Sequence, residues 1–471
     1  MRLAGKLDHV LNIPEIDLLH HSALRILDEM GVEIQNEALL QAAAAIGGRV
    51  DFSRQRVFFS PKLMEDYIAS VGHVDWEDIH GKARGIVGIY HSQYLDPASG
   101  ELTAWSEESL AGYFSLAGQM KHIDGIHMLG CRLPAPPHLE PLYERYYCWK
   151  YGIEVGGSIH LDELCPYLYE LHQARADLTG LPLSDVWRGS VYLLPPLKLG
   201  VHEAFQLQYF RERGLRVGIG GSMGTMGATV PVTYAGAVAL NLAEQLAINL
   251  LRYAFYGDHQ LRLGVGISVM DLRTAVRRVG RPGIAIVNVM MAQLARHYRV
   301  GFHGHGGLTD AKMPSVEVGA QKALSSIPIL LAGGQVEVYA GLLSMDEICS
   351  PVQLILDDEF LGALDHFAQD FEITPEAIDL NTILEAGPGG QFLDKPHTAR
   401  YARKEQWISS LWSHQMLQSW LQDGSRIDVD LAREKALALV RNRPDWPGIP
   451  ETMEKRFRQI CIEAERAFIS S

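Results

Sequence analysis

The sequence predicts an α/β fold, a TIM (β/α)8 barrel with helical additions at both ends. Three observations predict it. From about residue 85, short apolar segments alternate with longer amphipathic ones. Eight such segments occur, at 86–91, 125–131, 153–158, 186–193, 215–221, 260–266, 300–305 and 335–340, and eight βα units make a closed parallel barrel the natural architecture. Gly and small polar residues cluster just past several strand ends, as in GGSMGTMGAT at 220–229 and GHGGLTD at 304–310. Barrel active sites sit at that face.

The elements follow in order. Pro14 marks a helix start, Ile16, Leu19, Ala23, Leu27 and Met30 fall at helical spacing, and Gly31 offers the stop. A second helix runs over 36–46, Arg56-Val-Phe-Phe is a short strand, and Ser60-Pro61 opens a third helix. Between the predicted strands, 107–121 is a helix capped by Ser106 and 163–176 one capped by Asp162. After Asp357 the chain is helical again, broken by GPGGQF at 387–392. The expected division is a helical extension over 1–80, the barrel over 81–370 and a helical region over 371–471.

Composition narrows the class. Hydrophobic residues make up 47%, enough for a large core, so general disorder is excluded. With Lys plus Arg 42 and Asp plus Glu 56, the net charge is −14, which argues against nucleic acid as a partner. The same field attracts small cations. The five cysteines are scattered and none forms C-x-x-C, the usage of a reducing cytoplasm. The N-terminus has no apolar signal core. The longest apolar stretch, 235–256, is broken by Asn241, Glu244, Gln245, Asn249 and Arg252, so a buried helix is expected rather than a membrane span.

The predicted strand ends are rich in chemistry-bearing residues: Tyr90, His91 and Tyr94; Ser158 and His160; Met223; Met270 and Asp271; His303, His305 and Asp310; Glu337 and Tyr339. His303-Gly-His305 puts two imidazoles on one strand face, and with Asp310 or Glu337 this is a weak pattern for a metal. No metal is expected, because the spacing is unspecific and no cysteine lies near. GIGGSMGTMG at 218–227 has the glycines of a phosphate loop but lacks G-K-[ST] and the Rossmann spacing. No G-x-S-x-G or His-paired cysteine motif marks a nucleophile.

Longer segments carry a resemblance. GLTDAKMPSVEVGAQKAL (307–324), ILDDEFLGAL (355–364), GPGGQFLDKPHTARYARKEQW (387–407), HHSALRILDEMGVEI (20–34) and MGATVPVTYAGAVALNLAEQLA (226–247) resemble, in consistent order, the trimethylamine methyltransferase superfamily. The resemblance implies a TIM barrel that moves a methyl group from a methylated amine to Co(I) of a cobalamin carried on a separate corrinoid protein. The trimethylamine enzymes use a genetically encoded pyrrolysine. Every position here is one of the twenty ordinary residues, so the sequence is similar to the non-pyrrolysine branch, which includes glycine betaine methyltransferases. A quaternary amine needs no adduct with an electrophilic side chain, since its leaving group is already a neutral amine. On this reading His303, His305 and Tyr339 are the expected catalytic residues. Tyr90, Tyr94, His160, Met223, Asp310 and Glu337 are expected to bind substrate, with His303, His305 or Lys312 meeting a betaine carboxylate. Gly389, Gly390 and Gln391 are expected to dock the corrinoid protein. The chain is expected to be cytoplasmic and free of membrane, and a homo-oligomer is open. A metal-dependent barrel lyase or hydrolase, and a non-catalytic homologue that binds a betaine or a corrinoid protein, remain the alternatives.

Overall fold

The computed structural model describes residues 7, 9–76, 81–90, 92–128, 135–441, 446 and 448–470. His91 and Cys131, expected at strand ends, lie outside the described residues.

All eight expected strands form, with shifted or shortened ends. They are β1 Ala83–Ile89, β2 Ile123–Met128, β3 Glu154–Val155, β4 Ser190–Leu193, β5 Gly218–Gly221, β6 Arg262–Gly264, β7 Gly301–Gly306 and β8 Gln335–Tyr339. Six make one parallel sheet in the order β6-β7-β8-β1-β2-β3, and β4 and β5 make a parallel pair. Strands therefore neighbour one another in chain order, and the last pairs with the first, which curls the sheet. The Ser190 N–H donates to the Gly157 carbonyl at 2.9 Å, linking the chain past β3 to β4.

The run between β5 and β6 explains why the strands do not form one continuous ladder. The outer edge of β6 is satisfied by amide side chains on the helix Tyr234–Tyr256. Asn249 donates to the Arg262 carbonyl and accepts the Arg262 N–H, at 2.9 and 3.3 Å. Gln245 accepts the Gly264 N–H at 3.2 Å. Asn241 donates to the Gly264 carbonyl and accepts the Gly266 N–H. Buried backbone groups must be paired, and here a helix supplies the pairing. Strand contact resumes beyond this seam, where Gly224–Met226 runs parallel to Ile267–Asp271.

Several local expectations shift. The first helix, Ile13–Arg25, has its capping box from Asn12 and Glu15, then loosens into a π turn, Ile26–Met30, before Gly31. Three short strands, Val32–Ile34, Arg49–Asp51 and Arg56–Phe58, join Lys198–Leu199 in a small sheet, so the N-terminal region is not purely helical. Leu183–Val186 is a helical turn behind Pro182, which delays the fourth strand to Ser190. Asp162 does not cap the next helix: its carboxylate takes His202 at 2.8 Å and Gln206 at 2.9 Å, and a 3-10 turn leads into Cys165–Thr179. Two small sheets at the strands' C-terminal ends were not expected, one joining 93–95, 102–103, 342–343 and 348–349, the other pairing 267–271 with 276–278. Among the described residues no helix is long and apolar enough to cross a membrane.

Candidate active site

The inner face of the curled sheet is set by register. His303 pairs with Gln335 and His305 with Glu337 across β7 and β8, while Glu337 pairs with Arg84 and Tyr339 with Ile86 across β8 and β1. Parallel neighbours in register point the same way, and positions two apart share a face. His303, His305, Glu337, Tyr339 and Arg84 thus project together. The opposite face of β7 packs on helices: a Cβ added to Gly304 would lie 2.6 Å from Ile329, and one added to Gly306 2.5 Å from the Ser325 carbonyl.

Tyr339 is the hub. Its ring centroid is 5.4 Å from that of His305 and 6.4 Å from that of Tyr90, tilted by 53° and 56°. Tyr90 in turn meets His127 of β2 edge-on at 6.1 Å. Gly88 makes room for this contact: a Cβ there would stand 2.8 Å from the Tyr90 ring and 3.1 Å from His127 Nε2. Two backbone clamps hold the hub. Buried Lys322, paired with Asp357 at 2.7 Å, donates to the Tyr339 carbonyl at 2.9 Å, and Asp357 also accepts the Gly341 N–H at 2.8 Å. Gly341 has φ 77°, and a Cβ on it would meet the Tyr113 hydroxyl at 2.1 Å. On the other strand Asn288 accepts the His305 N–H at 2.9 Å and donates to the His305 carbonyl at 3.1 Å.

The charges are sorted. A hydrogen bond from His303, Nε2 to Oε2 3.3 Å, is the main cause holding the Glu337 carboxyl below the usual range, against its partial burial. Burial is the main cause that drives His305 down to about 4, with His303 and Arg277 adding to it, so this imidazole is neutral at pH 7. Burial also lowers His127. It raises the Tyr90 and Tyr339 hydroxyls, as does the charge of Glu337, so both phenols stay protonated. The result is one carboxylate, with Arg84 acting on it and Arg277 on His305, beside the neutral rings of Tyr90, Tyr339 and His305.

The remaining expected residues fall elsewhere. Tyr94 is buried in an apolar core with Trp105 and Tyr113, at ring distances of 5.1 and 6.5 Å, and Tyr90 and Tyr339 pack against that same core. The Asp310 carboxylate accepts the Val279 and Gly280 N–H groups at 2.9 and 3.1 Å, which makes it a turn clamp. Lys312 is exposed and donates to the Asp310 carbonyl. His160 is exposed on the loop past β3, with φ 62°. Met223 packs against the Tyr94 core. Gly389, Gly390 and Gln391 are exposed on an arm that follows the helix Pro351–Ala368. Asp365, near the end of that helix, lies in the field of Lys82 and Asp124, at the N-terminal ends of β1 and β2. His303 lines a cavity of about 600 Å³ at the strands' N-terminal ends, together with Arg262, Gly301 and Gln335. Among the described residues, no three His, Cys, Asp or Glu side chains are grouped to hold a metal ion.

Four residues near the hub were missed: Arg84, His127, Tyr192 and Arg277. Tyr192 acts on both Tyr90 and Tyr339 electrostatically, and Arg277 on His305. The alternation Gly125-x-His127 on the second predicted strand was the available signal for His127.

A model of the trimethylamine methyltransferase (MTTB) family matches residues 188–462. The chain belongs to this family. It is similar to trimethylamine methyltransferase MttB of Desulfitobacterium hafniense (strain DSM 10664 / DCB-2), 23% identical over 470 residues, 96% of this chain and 93% of that one. It is also similar to glycine betaine methyltransferase of Desulfitobacterium hafniense (strain Y51), 23% identical over 436 residues, 88% and 89% of the two chains. Among solved structures, the hydroxylamine complex of MtmB shares the fold, with a TM-score of 0.50 at 12% identity over 94% of this chain and 90% of that one.

Proposed function

We propose that this family member takes a methyl group from a quaternary amine, a betaine such as glycine betaine, and passes it to Co(I) of a corrinoid borne by a partner protein. The observation that carries the reading is the pairing of the Tyr90 and Tyr339 rings with the ionised Glu337 carboxylate. A methylammonium is held by aromatic faces and by nearby negative charge. Neutral His305 adds no opposing charge. Arg277 and Arg84 flank the group and suit the carboxylate of a zwitterionic donor, a role better matched to them than to Lys312. The relative named glycine betaine methyltransferase supports the same donor class.

The eight parallel strands are read here as a (β/α)8 barrel with the amide-filled seam between β5 and β6. Its C-terminal rim carries exposed Tyr192, Val232 and Leu272, apolar surface that fits the face of a corrin ring. When presented there, reduced cobalamin supplies the nucleophile. The work of this chain is to hold the cation, turn one N-methyl outward and exclude water, where orientation lowers the barrier more than tight ground-state binding. With every residue an ordinary one, trimethylamine, mostly protonated at pH 7, lacks the activation it needs and is expected to be a poor substrate.

A screen of quaternary amines with chemically reduced cobalamin, read by the visible spectrum of methyl-Co(III), tests the proposal. Methylation from a betaine but not from trimethylamine is expected. No methyl transfer from any quaternary amine, with free cobalamin or with a corrinoid protein, would sink it.

A further inference from the structure

The chain leaves β7 at Gly307, whose φ of 66° turns it out of the sheet, and the Gly307 N–H donates to Ser325 Oγ at 3.0 Å. β8 runs on to Tyr339 without that neighbour. The Ala340 N–H donates across to the Ile86 carbonyl of β1 at 2.9 Å, so the Tyr339 carbonyl points the other way, toward the place that β7 has left. A buried carbonyl needs a donor. Lys322 Nζ supplies it at 2.9 Å. Lys322 and Ser325 lie three apart on the helix Val316–Leu331, on one face. A single helix thus ties down both strands where they separate.

The donor is itself held from the helix Pro351–Ala368. Asp357 Oδ2 accepts from Lys322 at 2.7 Å and from the Gly341 N–H at 2.8 Å, while its Oδ1 accepts from Gln353 at 2.9 Å. Both side chains are buried, 1% and 3% exposed. Stability alone explains such a pair poorly. Taking two charges out of water offsets most of their attraction, and apolar residues in their place are often as stable. The matching clamp on β7 needs no charge, since Asn288 holds both His305 backbone groups with a neutral amide. At β8 the ion pair gathers the helix before the strand, the helix after it and the turn Tyr339–Gly341. From that point the Tyr339 ring reaches within 5.4 Å of the His305 ring and 6.4 Å of the Tyr90 ring.

We propose that Lys322 and Asp357 are positioning residues of the active site. They fix the end of β8 so that the Tyr339 ring meets the donor cation at one angle, and the pair serves that placement rather than the stability of the fold. The kinetic consequence rests on the proposed reaction, whereas the placement of the ring rests on the clamp geometry alone.

The test uses the full chain with fluorotyrosine in place of tyrosine, where the ¹⁹F resonance of Tyr339 is the one lost in Tyr339→Phe. The double variant Lys322→Met, Asp357→Asn removes both charges and the donor to the Tyr339 carbonyl, and keeps an acceptor for the Gly341 N–H. Asn249→Leu, which strips backbone partners from β6, is the control for a loss of stability alone. The Tyr339 resonance should shift or split in the double variant and stay in place in Asn249→Leu. Turnover is measured with glycine betaine and reduced cobalamin, at a temperature where circular dichroism shows every chain folded. There kcat should fall about 10–100-fold in the double variant, more than KM rises, and hold in Asn249→Leu. An unmoved Tyr339 resonance, or a loss of transfer no larger than in Asn249→Leu, overturns the proposal. If the double variant does not fold, Asp357→Asn alone, which leaves Lys322 without its counter-charge, takes its place, and an unmoved resonance overturns the proposal in the same way. A parent chain that methylates cobalamin from no quaternary amine removes the proposed reaction, and the resonance then decides the placement by itself.

Discussion

Tyr339 combines a buried phenol with a ring that faces two other aromatic groups, so the ring and the hydroxyl can be separated by mutation. If the ring holds the cation, Tyr339→Phe should keep most of the betaine affinity. Tyr339→Ala should lose roughly 0.5–2 kcal/mol, or about 2–30-fold in KM. Steady-state kinetics on folded variants decide this, and equal loss in both would point to the hydroxyl instead. His305 adds a pH argument. Its folded value of about 4 lies far below its ordinary one, so it stays neutral across the working range. A rate profile between pH 6 and 9 should therefore be unchanged in shape by His305→Gln. The residues of this hub were legible in the sequence only in part. His303, His305, Glu337 and Tyr339 sit on two adjacent predicted strands at alternate positions, so period two and chain order were enough to group them. Tyr94 and Asp310 follow strands just as closely in sequence, but one turns into a core and the other is taken up by two backbone N–H groups. Nothing in linear spacing distinguishes a side chain pointing inward from one spent on a turn.

At the scale of elements, the helix Tyr234–Tyr256 shows the same limit differently. Asn241, Gln245 and Asn249 recur at a spacing of four, which places them on one stripe. In sequence they read only as interruptions of an apolar run. Their partners are the backbone groups of β6, invisible until the fold is known. Asn249→Leu has nearly the same size but leaves the Arg262 N–H and carbonyl without their partner. A loss of about 2–4 kcal/mol is expected, since each stranded buried group costs about 1–3 kcal/mol. Urea unfolding at pH 7 measures it, and a loss below about 0.5 kcal/mol would mean that water replaces the amide. The eight strands themselves were readable because parallel strands buried on both faces are short apolar runs. The small sheets at their C-terminal ends were not, because strands of two or three residues carry too little pattern.

For the molecule as a whole, stability should depend on pH through groups far from the site. Burial raises Glu244 to about 7, against a weaker opposing hydrogen bond from the Leu197 N–H. A carboxyl whose folded value is raised stabilises the fold fully below its unfolded value and loses that contribution as pH climbs through the folded one. Burial, chiefly, also drops His172 to about 3. A histidine lowered on folding acts in the other direction: its contribution is present above the unfolded value and fades as pH falls toward 3. Glu244→Gln keeps an oxygen for the Leu197 N–H and removes the charge. It should raise stability at pH 8 by on the order of 2–3 kcal/mol and have little effect at pH 4. Equal urea midpoints for variant and parent at pH 8 would refute this.

The pairing of β8 with β1 has a consequence for how the protein is made. Tyr90 follows the first parallel strand to leave the ribosome and Tyr339 ends the last. Contacts between residues so far apart close a long loop and come late in folding. The proposed site is incomplete until the final strand arrives to pair with the first. Under the proposed function, activity would thus report that synthesis has passed the eighth strand.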